Sequence, residues 1–170
     1  MSTINELGKK LNKGLIKSGM VGLSKSVEIP FTLTSSTNAD LFIKNYFKTA
    51  KTVFLDAEYR IISWDKWLEI DDLIYDLTKQ QYVKEFSDCD DRSYITKYFT
   101  LRIFGIPQFI VHGHCYDLNG KWLFGHFWNA RISDGKLYFY EPIGNIWTEV
   151  KKGQKVIMKN REYRPLTFEF

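Results

Sequence analysis

Apolar residues recur at steps of three and four through the first half of this chain, and at steps of two through the second. Ile4, Leu7, Leu11 and Leu15 are spaced as one face of a helix with lysines between them, and Gly14, Gly19 and Gly22 cut that stretch short. Residues 27–34 alternate as an edge strand does, with Pro30 inside the run. Ser35, Ser36 and Thr37 offer an N-cap for a helix over about 38–51, with Leu41, Phe42, Tyr46 and Phe47 on its apolar face. Residues 59–64 read as a strand, and Asp65 as the cap of a helix whose inner side is Trp67, Leu68, Ile70, Leu73, Ile74 and Leu77. A further helix is predicted over 92–104.

From residue 109 the period becomes two. Residues 109–116 and 121–132 are strand-like and are separated by the turn signal Asp117-Leu118-Asn119-Gly120. Ser133-Asp134-Gly135-Lys136 is a hairpin turn leading into 137–141, and short runs at 147–150, 155–158 and 166–170 complete a meander. Helices followed by a meander predict an α+β domain, with N-terminal helices packed on an antiparallel sheet. The predicted division is a basic amphipathic arm, 1–26, and a single domain, 27–170.

Composition sharpens this picture in two places. Hydrophobic residues make up 44% of the 170 and aromatics 16%, enough for a core rich in ring packing. The net charge of +4 lies wholly in residues 1–25, where five lysines face one glutamate, which leaves 19 basic and 19 acidic groups in the remainder. The main domain therefore lacks the charge signature of a nucleic-acid surface, and no nucleic-acid partner is expected. The arm suits docking on a protein partner, on a second copy or on its own domain better than it suits a membrane surface. With no apolar run near the ~20 residues of a membrane span and no secretory-type N-terminus, the expected compartment is the reducing cytoplasm. Cys89 and Cys115 are accordingly expected to be free thiols.

Candidate chemistry lies between residues 87 and 144. Cys89 stands in Ser87-Asp88-Cys89-Asp90-Asp91 at a predicted helix start, His126 in Gly125-His126-Phe127-Trp128-Asn129, and Glu141 at the end of the next strand, before Pro142. A thiol at a helix N-terminus, an imidazole and a carboxylate form the set that nucleophilic cysteine catalysis uses. The helix start favours thiolate, whereas the aspartates beside it oppose ionisation. An imidazolium from His126 or a bound cation would resolve that conflict, and Asp88 also fits a plain helix cap. The Cys89 backbone N–H would stabilise an oxyanion, with Gln80 or Gln81 as the side-chain donor. A competing set is His112, His114 and His126, which would hold a transition metal if all three shared one sheet face.

The motifs at Asp88–Asp91, Gly125–Asn129 and Glu141-Pro142 resemble those of the papain-like cysteine-protease domain of the Marasmius agglutinin and of agglutinin-like phage and bacterial proteins. They are more distantly similar to transglutaminase-like cysteine peptidases. The resemblance covers residues from about 59 to 145. It implies a papain-like or transglutaminase-like core, with Cys89 as nucleophile, His126 as general base and Glu141 as orienting carboxylate. It also implies calcium near the thiol, held by Asp88, Asp90 and Asp91. Two departures are visible: no sugar-binding trefoil module is present, and Ser93-Tyr94 stands where the phage-type relatives have Phe-Ala.

The expected function is thiol-dependent hydrolysis or acyl transfer on a peptide or amide bond of a peptide or protein substrate. The alternative from a different class is a non-catalytic structural or assembly protein, such as a phage virion component, that keeps the fold without turnover.

Overall fold

The computed structural model describes residues 29–79 and 88–170; the amphipathic arm, the start of the predicted first strand, Gln80 and Gln81 lie outside them. Ser35 caps the first helix among the described residues, α1 (Ser36–Tyr46), by accepting the Asn38 N–H at 3.2 Å. Its buried residues are Ala39 and Ile43, with Phe42, Tyr46 and Phe47 packed alongside, while Leu41 is exposed. The predicted apolar face is thus corrected by one position, and the helix ends earlier than residue 51. In its place Lys51–Val53 forms the short strand β2.

A separate two-stranded sheet pairs β1 (Thr32–Ser35) with β3 (Glu58–Ile61). β3 stops before Trp64, because Trp64 already begins α2 (Trp64–Lys79). Asp65 lies inside the first turn of that helix and is not its cap. The Trp64 N–H is instead accepted by Asp134 Oδ2 at 2.8 Å, so a hairpin turn seventy residues away holds the helix start. α3 (Cys89–Phe99) continues into a π-helical turn, Thr100–Phe104, closed by Gly105 at φ +65°.

The main sheet runs in the order β2-β9-β4-β5-β6-β7, with β8 also on β9. Its members are β4 (Phe109–Tyr116), β5 (Trp122–Ser133), β6 (Lys136–Glu141), β7 (Ile146–Val150), β8 (Val156–Met158) and β9 (Arg161–Glu169). Asp134 and Gly135, at φ +49° and +70°, make the tight β5–β6 turn that their chemistry predicts. All ladders are antiparallel except β2 with β9, which is parallel, so the sheet is mixed.

Alternation along β5 sends side chains to two different environments. Trp128 and Ala130 join Phe109, Val111, Cys115, Phe139 and Phe168 in an aromatic core covered by α1. Asn129, Arg131 and Ser133 face the other way and are all buried and hydrogen-bonded. Arg131 pairs with Asp71 of α2, donates to Gln108 Oε1 at 2.9 Å, and lies between the rings of Trp67 and Tyr140. A second core of Ile70, Ile74, Ile103, Phe104 and Ile106 packs beside that network. No helix among the described residues is long and apolar enough to cross a membrane.

Candidate active site

Cys89 is the first residue of α3, and Asp88 is its N-cap, accepting the Asp90 N–H at 3.3 Å. Two links fix this turn over the sheet. The fully buried Ser93 hydroxyl donates to the Cys89 carbonyl at 2.8 Å, and Asn129 Nδ2 of β5 donates to the Ser93 carbonyl at 3.0 Å. Ser93 is therefore small for a reason: the sheet approaches the helix closely there.

The register explains how helix and strand meet. β6 pairs with β5 only from Asn129 to Ser133, leaving residues 122–128 of β5 without a strand on that edge among the described residues. Cys89 comes to this edge beside the Phe127 backbone and the His126 ring, whose hydrogen bonding acts on its thiol. Glu141 ends β6 just beyond the last pair, Asn129 with Tyr140, and by alternation shares the face of Phe139, Trp128 and His126.

His126 Nε2 lies 2.5 Å from Glu141 Oε2, and both side chains are buried. With Nε2 occupied, Nδ1 is the ring nitrogen left for the Cys89 sulfur. The other carboxylate oxygen, Oε1, accepts the Ile143 N–H at 3.3 Å. Tyr163 of β9, missed in the sequence, donates its hydroxyl to Oε2 at 3.1 Å. Trp128 stacks on the His126 ring with centroids 5.9 Å apart, at 28°.

The electrostatics follow from these contacts. Burial alone pushes the Cys89 thiol up, but the His126 hydrogen bond, the Phe127 backbone and the imidazolium charge together leave it below its ordinary value. Burial pushes His126 down, and the bonds to Cys89 and Glu141 outweigh it, raising the imidazole to about 9. The two shifts run in opposite directions, the thiol down and the imidazole up, which favours proton transfer from sulfur to ring. Cys115 behaves oppositely: burial, with the nearby Glu141 charge, pushes its thiol up to about 12. Both cysteines are free.

The three-histidine cluster is not formed. His126 pairs with Gly113, between His112 and His114, so the alternation of β4 puts those two histidines on the opposite face. His112 instead stacks on Phe127 at 4.8 Å, and His114 stands edge-on to Trp122 at 6.4 Å. Among the acidic residues, Asp88 and Asp90 bring ligand atoms within 4.8 Å of one another and of Cys89, and Asp91 is not in that group. Calcium takes six to eight oxygens. Among the described residues the group offers two carboxylates beside a sulfur, one of them already engaged as a cap, which is fewer oxygens than that shell takes. A cavity of about 600 Å³ bordered by Phe31, Phe42, Ile62, Ile132 and Asp134 includes none of Cys89, His126 and Glu141 in its lining.

No protein-family model matches the chain, and no curated protein matches it. Solved structures do match. PSL1a, in a complex with E64, aligns with a TM-score of 0.57 at 15% identity, over 81% of this chain and 50% of its own. Polyporus squamosus lectin, bound to the human-type influenza-binding epitope Neu5Aca2-6Galb1-4GlcNAc, aligns with a TM-score of 0.56 at 14% identity, over 81% of this chain and 49% of its own. The agglutinin resemblance therefore holds at the level of the fold, an α+β architecture. The chain spans about half the length of these solved structures.

Proposed function

We propose that this chain is a thiol-dependent hydrolase or acyl transferase acting on a peptide or amide bond. The observation that carries the proposal is one relay: the half-buried Cys89 beside His126, and His126 Nε2 on Glu141 at 2.5 Å, both of these buried. In the proposed reaction Nδ1 of His126 takes the Cys89 proton and the thiolate attacks the substrate carbonyl carbon. The C–S bond forms as the carbonyl π electrons move onto oxygen, where the N–H groups at the start of α3 face the developing charge. Collapse breaks the C–N bond, and the imidazolium gives its proton to the leaving amine. Water, deprotonated by His126, then attacks the acyl-Cys89 thioester and releases the acid with return of the thiol. An amine in place of water would give acyl transfer. Glu141 keeps the ring oriented and stabilises its charged form throughout.

E64, the compound in the PSL1a complex, is the natural probe. Incubation followed by intact-mass and peptide mapping should place a single adduct on Cys89 and none on Cys115. A protein-substrate panel should be cleaved by the native chain and not by Cys89→Ala. Absence of both adduct and product would favour the non-catalytic alternative, a structural protein that keeps the fold.

A further inference from the structure

We propose that Tyr163 is a positioning residue for the site, its hydroxyl holding Glu141 Oε2 in line with His126 Nε2. This deepens the thiol-enzyme reading and rests on it. The sheet brings Tyr163 there from the far side: Tyr163 pairs with Cys115 in the β9–β4 ladder and so shares the face of Cys115 and Trp128. Glu141 approaches from β6, on the opposite flank of β5.

Its carboxylate has three donors. Ile143 N–H takes Oε1, while His126 Nε2 and the Tyr163 hydroxyl both take Oε2. Ile143 belongs to the turn that follows Glu141 itself, so it cannot fix the carboxylate relative to β5. Tyr163 can, because its ring is wedged edge-on against both His126, at 5.6 Å, and Trp128, at 5.2 Å. The groups facing this hydroxyl are Glu141, Cys115 and, on its own strand, Arg161. Burial first, and the charge of Glu141 next, hold the phenol well above its ordinary range, so it remains a donor over all working pH values.

The test is the rate of Cys89 alkylation by iodoacetamide from pH 5 to 10, with mass spectrometry separating Cys89 from Cys115. Native protein, Tyr163→Phe, Glu141→Gln, the double variant and His126→Ala are compared, with circular dichroism verifying folding. Phe keeps the ring and removes only the hydroxyl. The expected result is a ten- to hundredfold loss of rate near neutral pH in Tyr163→Phe, about the scale for groups that orient a reacting side chain. The high-pH limb of the profile should move to lower pH, and the change should add almost nothing once Glu141 is Gln. An unchanged profile in Tyr163→Phe, beside a collapsed one in His126→Ala, overturns the Tyr163 role alone. An unchanged profile in His126→Ala overturns the thiol pair and, with it, this inference. Should Tyr163→Phe not fold, ring ¹⁵N shifts of His126 in the native chain decide. A hydroxyl-held Glu141 keeps the Nε2 proton in a strong hydrogen bond throughout the titration, and a loose one shows solvent-like exchange, contradicting the role.

Discussion

Gly113 stands directly opposite His126 in the β4–β5 ladder, and the space where its side chain would lie is taken by Trp128. A Cβ there would fall 2.5 Å from Trp128 Cη2, 2.3 Å from the Arg164 carbonyl oxygen and 2.9 Å from Pro165 Cα. The glycine lets three strands close up so that the indole can stack on the His126 imidazole. Two of the three obstructions are backbone and cannot rotate away. Gly113→Ala is therefore expected to cost about 1–3 kcal/mol or more in urea unfolding. It should also slow Cys89 alkylation by displacing Trp128.

Asn129 predicts a different effect, on the helix that carries the thiol. Its amide is the buried tie between β5 and the first turn of α3. Asn129→Ala should lower stability by about 1–3 kcal/mol, since buried polar partners are left unpaired. Alkylation of Cys89 should slow in the folded variant, while the His126–Glu141 contact, made between strands, persists in its NMR signature.

The buried Arg131–Asp71 pair joins β5 to α2. Burial first of all raises the Asp71 carboxyl, and the Arg131 charge opposes that rise. Arg131→Met leaves the carboxyl buried without its cation and should cost about 3–5 kcal/mol, whereas Arg131→Met with Asp71→Leu should recover much of it. Denaturation midpoints of the two variants decide between these outcomes.

Acid stability should depend on Glu162. Hydrogen bonding to Arg164, at 2.6 Å, and to Lys155, at 2.7 Å, holds its carboxyl down to about 2 against an ordinary 4.5. A depressed folded value means that the contribution is fully present above about 4.5 and is lost as pH falls towards 2. Glu162→Gln should flatten that part of the stability curve. Equal slopes in the native and variant chains between pH 5 and 2 would contradict the assignment.

The strands of the meander were legible because their alternation and turn chemistry are local. Asp134-Gly135 announces its own hairpin, and Cys89 at the start of α3 and Glu141 at the end of β6 stand out as polar residues at element ends, whereas His126, in the middle of β5, stands out only through its spacing from them. What depended on register was not legible. Lys51–Val53 is a strand only because Thr167–Glu169 lies beside it, more than a hundred residues on. The placing of His112 and His114 away from His126 follows from Gly113 being the paired residue, which spacing cannot reveal. Tyr163 is one of ten tyrosines with nothing in its neighbours to mark it, and only the β9–β4 register puts it on Glu141. The inner face of α1 is hard to read because Ala39 is a small residue and Leu41 a large one, yet the helix buries the former and exposes the latter.

His126 is expected to carry a proton at neutral pH, because it lies between the Cys89 sulfur and the buried Glu141 carboxylate. Ring ¹⁵N NMR of His126 against pH measures this directly. The relay predicts an imidazolium that persists past pH 8 and titrates near 9 in the native chain, and at lower pH in Cys89→Ala and Glu141→Gln. An imidazole that titrates near the ordinary 6.5 in all three proteins would contradict it.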